Sequence, residues 1–412
     1  MTVYHLGRIL VRCALIAVVA AGCFGIYLFK RTNSRAFQEG LDAKVGSALG
    51  AKEAKIQDFG RSGGEFKIRQ LAAEGTAETF YNRLDASLIQ FKTGLLGGVT
   101  GPWDAGTIRV DQLNMNLKAG ADSAAEAEAI GKSFVKSYPD FTFSSLDVKD
   151  ASLVWGFTAA ERQNRGFSTQ GRIDNSHLKA VRGNNGWHLE FEGGTFTQNW
   201  LEKADIQTLV MDCNADGIRV TEASLKLDQT ATITISDLEI TAGEKPQVSG
   251  RLKISHLDVR HIIPDAVREY MEGSISGEFK VSGSTNTAEG IVMEGEVKLD
   301  RDVICMRERL PLLKAMSVLD NYHTYRKVEF NDGGFRLKTS AQKINISAVD
   351  LKAGDLMMLK GGVVVRQPTP KELAESPAAP AGVGMGTDLG GDSPQEPAGG
   401  EKKKGDINLK EA

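Results

Sequence analysis

The segment Asp212–Gly217 is the stretch of the sequence that looks most like a metal site, because it copies the first half of a calcium-binding EF-hand loop. Oxygen-bearing side chains occupy its first, third and fifth positions, and glycine occupies the sixth. The loop also needs a bidentate glutamate at its twelfth position, where this chain has Ala223, and Glu222 stands one place too early. The flanking residues alternate as strands do. We therefore predict a hairpin turn here and no metal.

Histidines and glycine-rich segments offer no stronger site. The chain has 6 histidines, and two of them, His256 and His261, stand close together at a predicted strand-to-helix junction without a cysteine cluster. Gly382–Gly386 has the letters of a phosphate-binding loop, but no strand precedes it and no helix follows it. No nucleophile elbow or carboxylate pair occurs in a strand-to-helix context. The sequence predicts no catalytic residue, no metal and no cofactor, so we expect a protein that is not an enzyme.

The composition narrows the class of protein. The chain has 412 residues, a net charge of −3, 45 glycines and 7% aromatic residues, which is typical of a strand-and-turn protein. Lysine and arginine are spread along it, so no nucleic-acid partner is expected. The 4 cysteines cannot form a disulfide framework. Cys213 and Cys305 could form one bridge, or both could be free buried thiols.

An apolar pattern recurs along most of the chain. In Leu252–Val259, apolar residues occupy positions one, three, six and eight, with polar residues between them. The same octet spacing occurs in five other segments, and a looser copy occurs in Ile218–Leu225. The five segments are Phe66–Ala73, Ile108–Met115, Phe141–Val148, Ile233–Ile240 and Ile344–Leu351. The step of three would turn the second apolar pair to the opposite face of a strand unless a β-bulge absorbs one residue.

We interpret each octet as a bent strand with one apolar face, although a core strand of an ordinary β-sandwich is the alternative. Repeated bulges curl a sheet, so the predicted fold is mainly β: an elongated, curled antiparallel sheet with an open groove and a few short amphipathic helices. A groove of this kind could hold acyl chains. Its candidate lining residues are Ile108, Val110, Phe141, Phe143, Ile233, Ile235, Leu252, Ile254, Phe279, Val281, Val297, Leu299, Ile344 and Ile346.

Residues 9–29 form an apolar run long enough to cross a bilayer as a helix, interrupted only by Arg12. We predict an uncleaved membrane anchor. A cleaved signal peptide is the main alternative, and Ala20–Cys23 also resembles a lipoprotein cleavage site with Cys23 as the acylated residue. The run stays apolar from Phe24 to Phe29, which favours the anchor.

Other sequence signals predict four helices, a hairpin turn and a C-terminal tail. Apolar spacing and capping signals predict helices at Ala36–Leu49, after Ser123 and before Pro139, at Pro264–Met271 and at Pro311–Tyr322. Asn331–Gly334 is predicted to be a hairpin turn. Residues 367–412 are rich in Pro, Ala, Gly and Glu and are predicted to be disordered. The expected organisation is an anchor (1–31), a helix-plus-strands region (32–138), a curled sheet region (139–302), a C-terminal helix and strands (303–366) and a tail (367–412).

The C-terminal third resembles the AsmA-like C-terminal region of bacterial envelope proteins. The resemblance is carried by an ordered set of short motifs and covers residues 1–60 and 215–366, while the middle of the chain matches in pattern only. The motifs are Ile263-Pro264 with its short helix, Gly273–Gly283, Gly295–Leu299, Val318–Tyr322, Phe330–Gly334 and Leu351–Gly361. This chain departs from larger relatives by being short and by ending in a polar tail.

The resemblance to AsmA and TamB implies a single-pass inner-membrane protein with its body in the periplasm. Such proteins are thought to carry phospholipid along a hydrophobic groove and to support outer-membrane assembly, which implies lipid as a ligand and an outer-membrane assembly partner. No catalytic residues come with the family. Two alternatives remain: an envelope scaffold or regulator with a closed β core and no lipid, and a membrane-tethered carbohydrate-active β-protein.

Overall fold

A computed structural model describes most of the chain between residues 35 and 366. The described residues are 35–62, 64–93, 103–118, 121, 123–136, 141–156, 171–198, 201–242, 246–261, 268–284, 290–300, 304–307, 313, 315, 318, 327–340 and 343–366. The chain separates into two units, residues 1–366 and 367–412. The predicted anchor at 9–29 and the predicted disordered tail lie outside the described residues, and the finer division into regions stays a prediction.

The described chain is mainly β, as the sequence predicts. It contains the helices α1 (Arg35–Leu49) and α2 (Ala124–Val135). Its strands up to the middle of the sheet are β1 (Glu53–Ser62), β2 (Glu65–Glu74), β3 (Tyr81–Lys92), β4 (Trp103–Asp104), β5 (Thr107–Leu117), β6 (Phe141–Thr142), β7 (Ser145–Trp155), β8 (Gly171–Arg182), β9 (Gly186–Glu192), β10 (Thr195–Gln198) and β11 (Leu201–Asn214). The later strands are β12 (Gly217–Lys226), β13 (Thr232–Thr241), β14 (Gln247–Asp258), β15 (Met271–Glu272), β16 (Ser274–Ser284), β17 (Ile291–Leu299), β18 (Ile304–Arg307), β19 (Lys327–Phe330), β20 (Asp332–Thr339), β21 (Lys343–Ala353) and β22 (Met357–Arg366).

One sheet of 17 strands organises the described residues. Its spatial order follows the chain from β1 to β22, leaving out the short strands β4, β6, β15, β18 and β19, and β9 and β10 share one position between β8 and β11. Neighbours are antiparallel except β5 and β7, which are parallel. Parallel neighbours need a crossover connection, and the chain between these two strands includes α2. The remaining strands form two small sheets, β4–β6 and β15–β18–β19.

The predicted bulges are present in three octets. In β13, β14 and β21 the pairing register shifts by one residue in the middle of the octet. The fifth residue of each octet has a left-handed backbone, with φ of 52° at Asp237, 53° at His256 and 49° at Ala348. The bulge therefore absorbs the extra residue of the three-residue step, and the apolar pairs on both sides of it stay on one face.

The left-handed bulge residues give a direct stability test at Ala348. Glycine adopts a positive φ without steric penalty, whereas a β-branched residue there is a backbone outlier. We expect Ala348→Gly to leave the free energy of unfolding unchanged or to raise it by up to about 1 kcal/mol. Ala348→Val should lower it by about 1–3 kcal/mol. Urea denaturation of both variants measures the difference, and equal effects of glycine and valine would contradict the left-handed bulge.

Two sequence expectations about strands are wrong. Phe141–Val148 is not one bent strand, because Phe141 and Thr142 pair with β4 while β7 begins at Ser145. The turn between the two pieces is fixed at Ser144, whose backbone N–H and hydroxyl both donate to the Gly106 carbonyl, at 2.8 and 3.1 Å. The chain therefore passes from the small β4–β6 sheet into the main sheet at the step where the other octets only bend.

Asn331–Gly334 is not a hairpin turn. β20 starts at Asp332 and continues antiparallel to both β17 and β21, so Asn331 marks a break between β19 and β20. Gly333 serves a close approach of two strands, because a Cβ there would lie 2.0 Å from the Asp350 carbonyl oxygen. Its positive φ of 121° also excludes most other residues.

The predicted helices at Ala36–Leu49 and after Ser123 are confirmed, and the other two are described only in part. α2 begins after Ser123, whose side chain accepts a hydrogen bond from the Glu126 N–H. At Pro264–Met271, only the last residues are described: Arg268 is helical and Met271 already belongs to β15. In Pro311–Tyr322, the described residues 313, 315 and 318 are helical. Leu313 is fully buried in one cluster with Val328 and Phe330 of β19.

The end of α2 shows how strongly the sheet curls. The Ser133 hydroxyl accepts from the Phe80 N–H, at 3.1 Å, just before β3. The backbone carbonyl of the following residue, Phe134, accepts a hydrogen bond from Trp187 Nε1 on β9, at 3.2 Å. β3 and β9 are separated by β5, β7 and β8 in the sheet. Since one helix end touches both, the sheet must bend round between them.

Candidate functional site

One face of the sheet carries a continuous apolar cluster. Buried side chains in contact with one another follow it from Phe59 on β1 through Val148 on β7 and Ile233 on β13 to Val297 on β17. A smaller cluster around Phe330 lies beside β21, and Leu299 contacts both clusters. The recurrent octets therefore build one extended apolar face over most of the sheet.

The residues predicted to line a groove lie along this face and differ in burial. Half of them are buried: Ile108, Val110, Ile233, Ile254, Phe279, Val281 and Val297. Phe141, Phe143, Ile235, Leu252, Leu299 and Ile346 are partly buried. Ile344 is 42% exposed. Their role in binding stays a prediction.

The apolar face becomes exposed at the last two strands. Ile344 and Ile346 on β21 lie opposite Val365 and Val363 on β22. Ile344 and Val363 are among the exposed large apolar side chains of the protein. Exposed apolar neighbours on one face mark an interaction surface more often than scattered single residues do. This end of the face is therefore the place where a ligand could reach it from solvent.

Aromatic side chains cover the other part of the face, where β4 and β6 pass over the ends of β2 and β3. The ring centroids of Phe66 and Trp103 are 4.8 Å apart, and those of Phe91 and Phe141 are 5.7 Å apart. Phe143 continues the row to Trp187 on β9, at 5.2 Å. Trp103 was missing from the sequence prediction, because no spacing pattern connects it with its partners on distant strands.

The sequence prediction also missed two octets. β1 carries Ala54, Ile56 and Phe59, and β3 carries Leu84, Ala86, Ile89 and Phe91, with the same steps of two and three. The left-handed residues of these strands are Asp58 and Leu88. The spacing is present in the sequence. In β3, however, the bulge position is occupied by the apolar residue Leu88, which obscured the pattern.

Each described histidine lies beside an aspartate, and none belongs to a metal site. Within the described parts of the chain, no group of three or more His, Cys, Asp or Glu side chains could hold a metal ion. The pairs are His177 Nε2 with Asp147 at 2.8 Å, His188 Nδ1 with Asp212 at 2.7 Å, His256 Nδ1 with Asp300 at 3.3 Å and His261 Nε2 with Asp228 at 3.4 Å.

His256, Ser276 and Asp300 have the residue types of a catalytic triad but the wrong connections. The Ser276 hydroxyl donates to Asp300 Oδ1, at 2.6 Å, so the aspartate stands where a histidine base would have to be. The same hydroxyl accepts from the His256 backbone N–H, at 2.9 Å. This N–H belongs to the bulge residue of β14. The cluster therefore fixes a bulge.

Cys213 and the turn after it have structural roles. Cys213 is a free, buried thiol. Burial raises the pKa of this thiol to about 12, which keeps it in the unreactive protonated form at neutral pH.

The predicted hairpin turn at Asp212–Gly217 is confirmed, since Asn214 Oδ1 accepts from the N–H groups of Asp216 and Gly217, each at 2.9 Å.

The His188 pair predicts a small pH dependence of stability. The hydrogen bond to Asp212 and, more weakly, that to Glu190 raise the pKa of His188. The stabilisation is therefore fully present below about pH 6.5, the unfolded value, and is lost as the pH rises through the folded pKa. Since both side chains are substantially exposed, the effect should stay below about 1 kcal/mol.

Urea denaturation of wild type and His188→Gln at pH 5.5 and pH 9 measures this contribution. We expect the variant to lose more stability at pH 5.5 than at pH 9. A larger loss at pH 9 would show that His188 stabilises the fold through another interaction.

No helix among the described residues has the length and apolar character that a membrane crossing requires. Comparisons with known proteins add no assignment: no protein-family model matches the chain. No curated protein matches it either. No solved structure matches it.

Proposed function

We propose that this protein binds phospholipid by its acyl chains along the apolar face of the curled sheet. It would act without catalysis, anchored in the bacterial inner membrane by residues 9–29, with its body in the periplasm and a role in outer-membrane assembly. The location and the envelope role rest on the resemblance to AsmA-like proteins. The lipid ligand rests on that resemblance and on the apolar face.

The observation that carries the proposal is the continuity of the apolar cluster across the sheet. Because β9 and β10 share a position, the 17 strands stack over roughly 70 Å at about 4.8 Å per strand. Each methylene removed from water contributes about 0.8 kcal/mol, so exposing a chain of about 16 carbons costs on the order of 12 kcal/mol. A continuous apolar face removes much of this cost.

A closed scaffold is the second candidate function. It is favoured by the burial of half of the predicted lining residues, Phe279 and Val297 among them. In a scaffold these side chains would fill their own core, and no acyl chain would enter. In a lipid-binding protein the exposed end at Ile344 and Val363 would admit the chain, and the sheet would open along the face.

The test compares bound lipid in matched variants of the full chain. Native mass spectrometry after extraction in mild detergent should find phospholipid on the wild type. Ile344→Asp with Ile346→Asp should remove most of it, since charge at this end opposes acyl chains. The control is Val154→Asp with Val181→Asp, which changes two residues that are 44% and 50% exposed on the opposite face.

Circular dichroism establishes that each variant is folded. Loss of lipid from the Ile344/Ile346 variant with retention by the Val154/Val181 variant supports the proposal. A lipid-free wild type, or equal lipid on both folded variants, overturns it in favour of the closed scaffold.

A further inference from the structure

The last strand of the sheet, β22, presents an apolar outer edge. Among the described residues, β22 pairs with β21 on one side only. Met358 is 55% exposed, Val363 54% and Val364 59%. Lys360, the charged residue near the strand centre, lies 3.7 Å from Asp350 of its own chain. An edge strand with exposed β-branched residues and few free charges favours pairing with another strand.

The opposite edge of the sheet is protected. α1 packs beside β1, and Asp42 Oδ1 accepts a hydrogen bond from the Ile56 N–H, at 3.0 Å. β1 also carries an exposed ion pair between Glu53 and Lys55. A covering helix and charged side chains are the usual protections of a sheet edge. Head-to-tail joining of copies, which would need both edges, is therefore blocked at β1.

We propose that two copies of this chain associate through antiparallel pairing of their β22 strands, with the two-fold axis near Gly361. This register sets Met358 opposite Val364 and Leu359 opposite Val363, so that apolar residues face apolar residues. It sets Lys360 opposite Gly362, with no like charges opposed. Moving the axis to Val363 would set Lys360 opposite Arg366, which is destabilising.

The two-fold symmetry of this contact limits the assembly to two copies and joins their two apolar faces. An isologous contact uses the same surface on both copies and closes at a dimer. Directly opposed residues of an antiparallel pair point to the same face of the sheet, so the exposed apolar ends at Ile346 and Val363 adjoin in the dimer. The inference rests on the strand edge and does not depend on lipid binding.

Sedimentation velocity of the full chain in mild detergent, over a range of protein concentrations, tests the dimer. The wild type should shift from monomer to dimer as concentration rises. Val364→Asp should remain monomeric, while Val181→Asp, at a similarly exposed position with paired strands on both sides, should dimerise as the wild type does. A wild type that stays monomeric, or a Val364→Asp variant that dimerises as the wild type does, overturns the proposal.

Disulfide trapping tests the register. Met358→Cys and Val364→Cys are made separately in a background in which the 4 native cysteines are replaced by alanine. Opposed residues of an antiparallel pair lie within bridging distance, so mixing the two variants should give a disulfide-linked dimer that neither gives alone. A mixture that yields no more linked dimer than the single variants overturns the proposed register. If the monomeric Val364→Asp variant retains phospholipid, lipid binding does not depend on the dimer, and the two proposals are tested separately.

Discussion

Replacing Ile254 with aspartate is expected to lower the free energy of unfolding by at least about 3 kcal/mol. Ile254 is the third residue of the β14 octet and is only 5% exposed. It lies opposite Ile233 on β13 and Gly277 on β16. The substitution removes a packed aliphatic side chain and places a carboxylate where no partner is present within the apolar cluster, so the two penalties add.

The matched control is the neighbouring Lys253, which points to the exposed face. Lys253→Asp should change the free energy of unfolding by no more than about 0.5 kcal/mol. Urea denaturation followed by circular dichroism compares the two variants. Similar losses at both positions would mean that Ile254 and Lys253 do not point to opposite faces of β14 as the apolar pattern requires.

Gly295→Val is the second change with a large expected effect. The Phe279 ring lies over Gly295, so that a Cβ would come 2.7 Å from Phe279 Cδ1 and 2.1 Å from the Glu278 carbonyl oxygen. Valine would have to displace a buried ring and separate β16 from β17. We expect a loss of about 2–3 kcal/mol in the free energy of unfolding.

Two comparisons isolate the packing of Phe279. Gly60→Ala in β1, where an added Cβ meets nothing within 4 Å, should cost less than about 0.5 kcal/mol. Combining Gly295→Val with Phe279→Ala should cost clearly less than the sum of the single changes, because the clash with the ring is removed. Strict additivity would show that the ring does not rest on Gly295.

The bent strands could be predicted from the sequence because their signal is local. In Leu252–Val259 and Ile344–Leu351 the steps between apolar residues define both the face and the bulge, and the structure has the bulge at the expected residue. The cap at Ser123 is equally local. Burial along the octets followed from the same pattern, except at Ile218 and Ile344, the first residues of their octets, which are 39% and 42% exposed.

Features that depend on distant contacts could not be predicted. The parallel pairing of β5 with β7 and the aromatic row at Trp103 depend on how the chain crosses over between strands. The glycines at Asn331–Gly334 have the composition of a turn, yet Gly333 allows close approach to Asp350 within the sheet. Composition alone does not distinguish a turn from a tight strand contact.

Site-specific photo-crosslinking tests most directly whether the apolar face holds lipid. A benzophenone amino acid is placed at Leu252 or Ile346 on the apolar face, and at Lys253 or Val181 on the opposite face, in the full chain reconstituted with phospholipid vesicles. The account predicts crosslinks to phospholipid at Leu252 and Ile346 and none above background at Lys253 and Val181. Equal crosslinking on both faces, or none at Leu252 and Ile346, would contradict it.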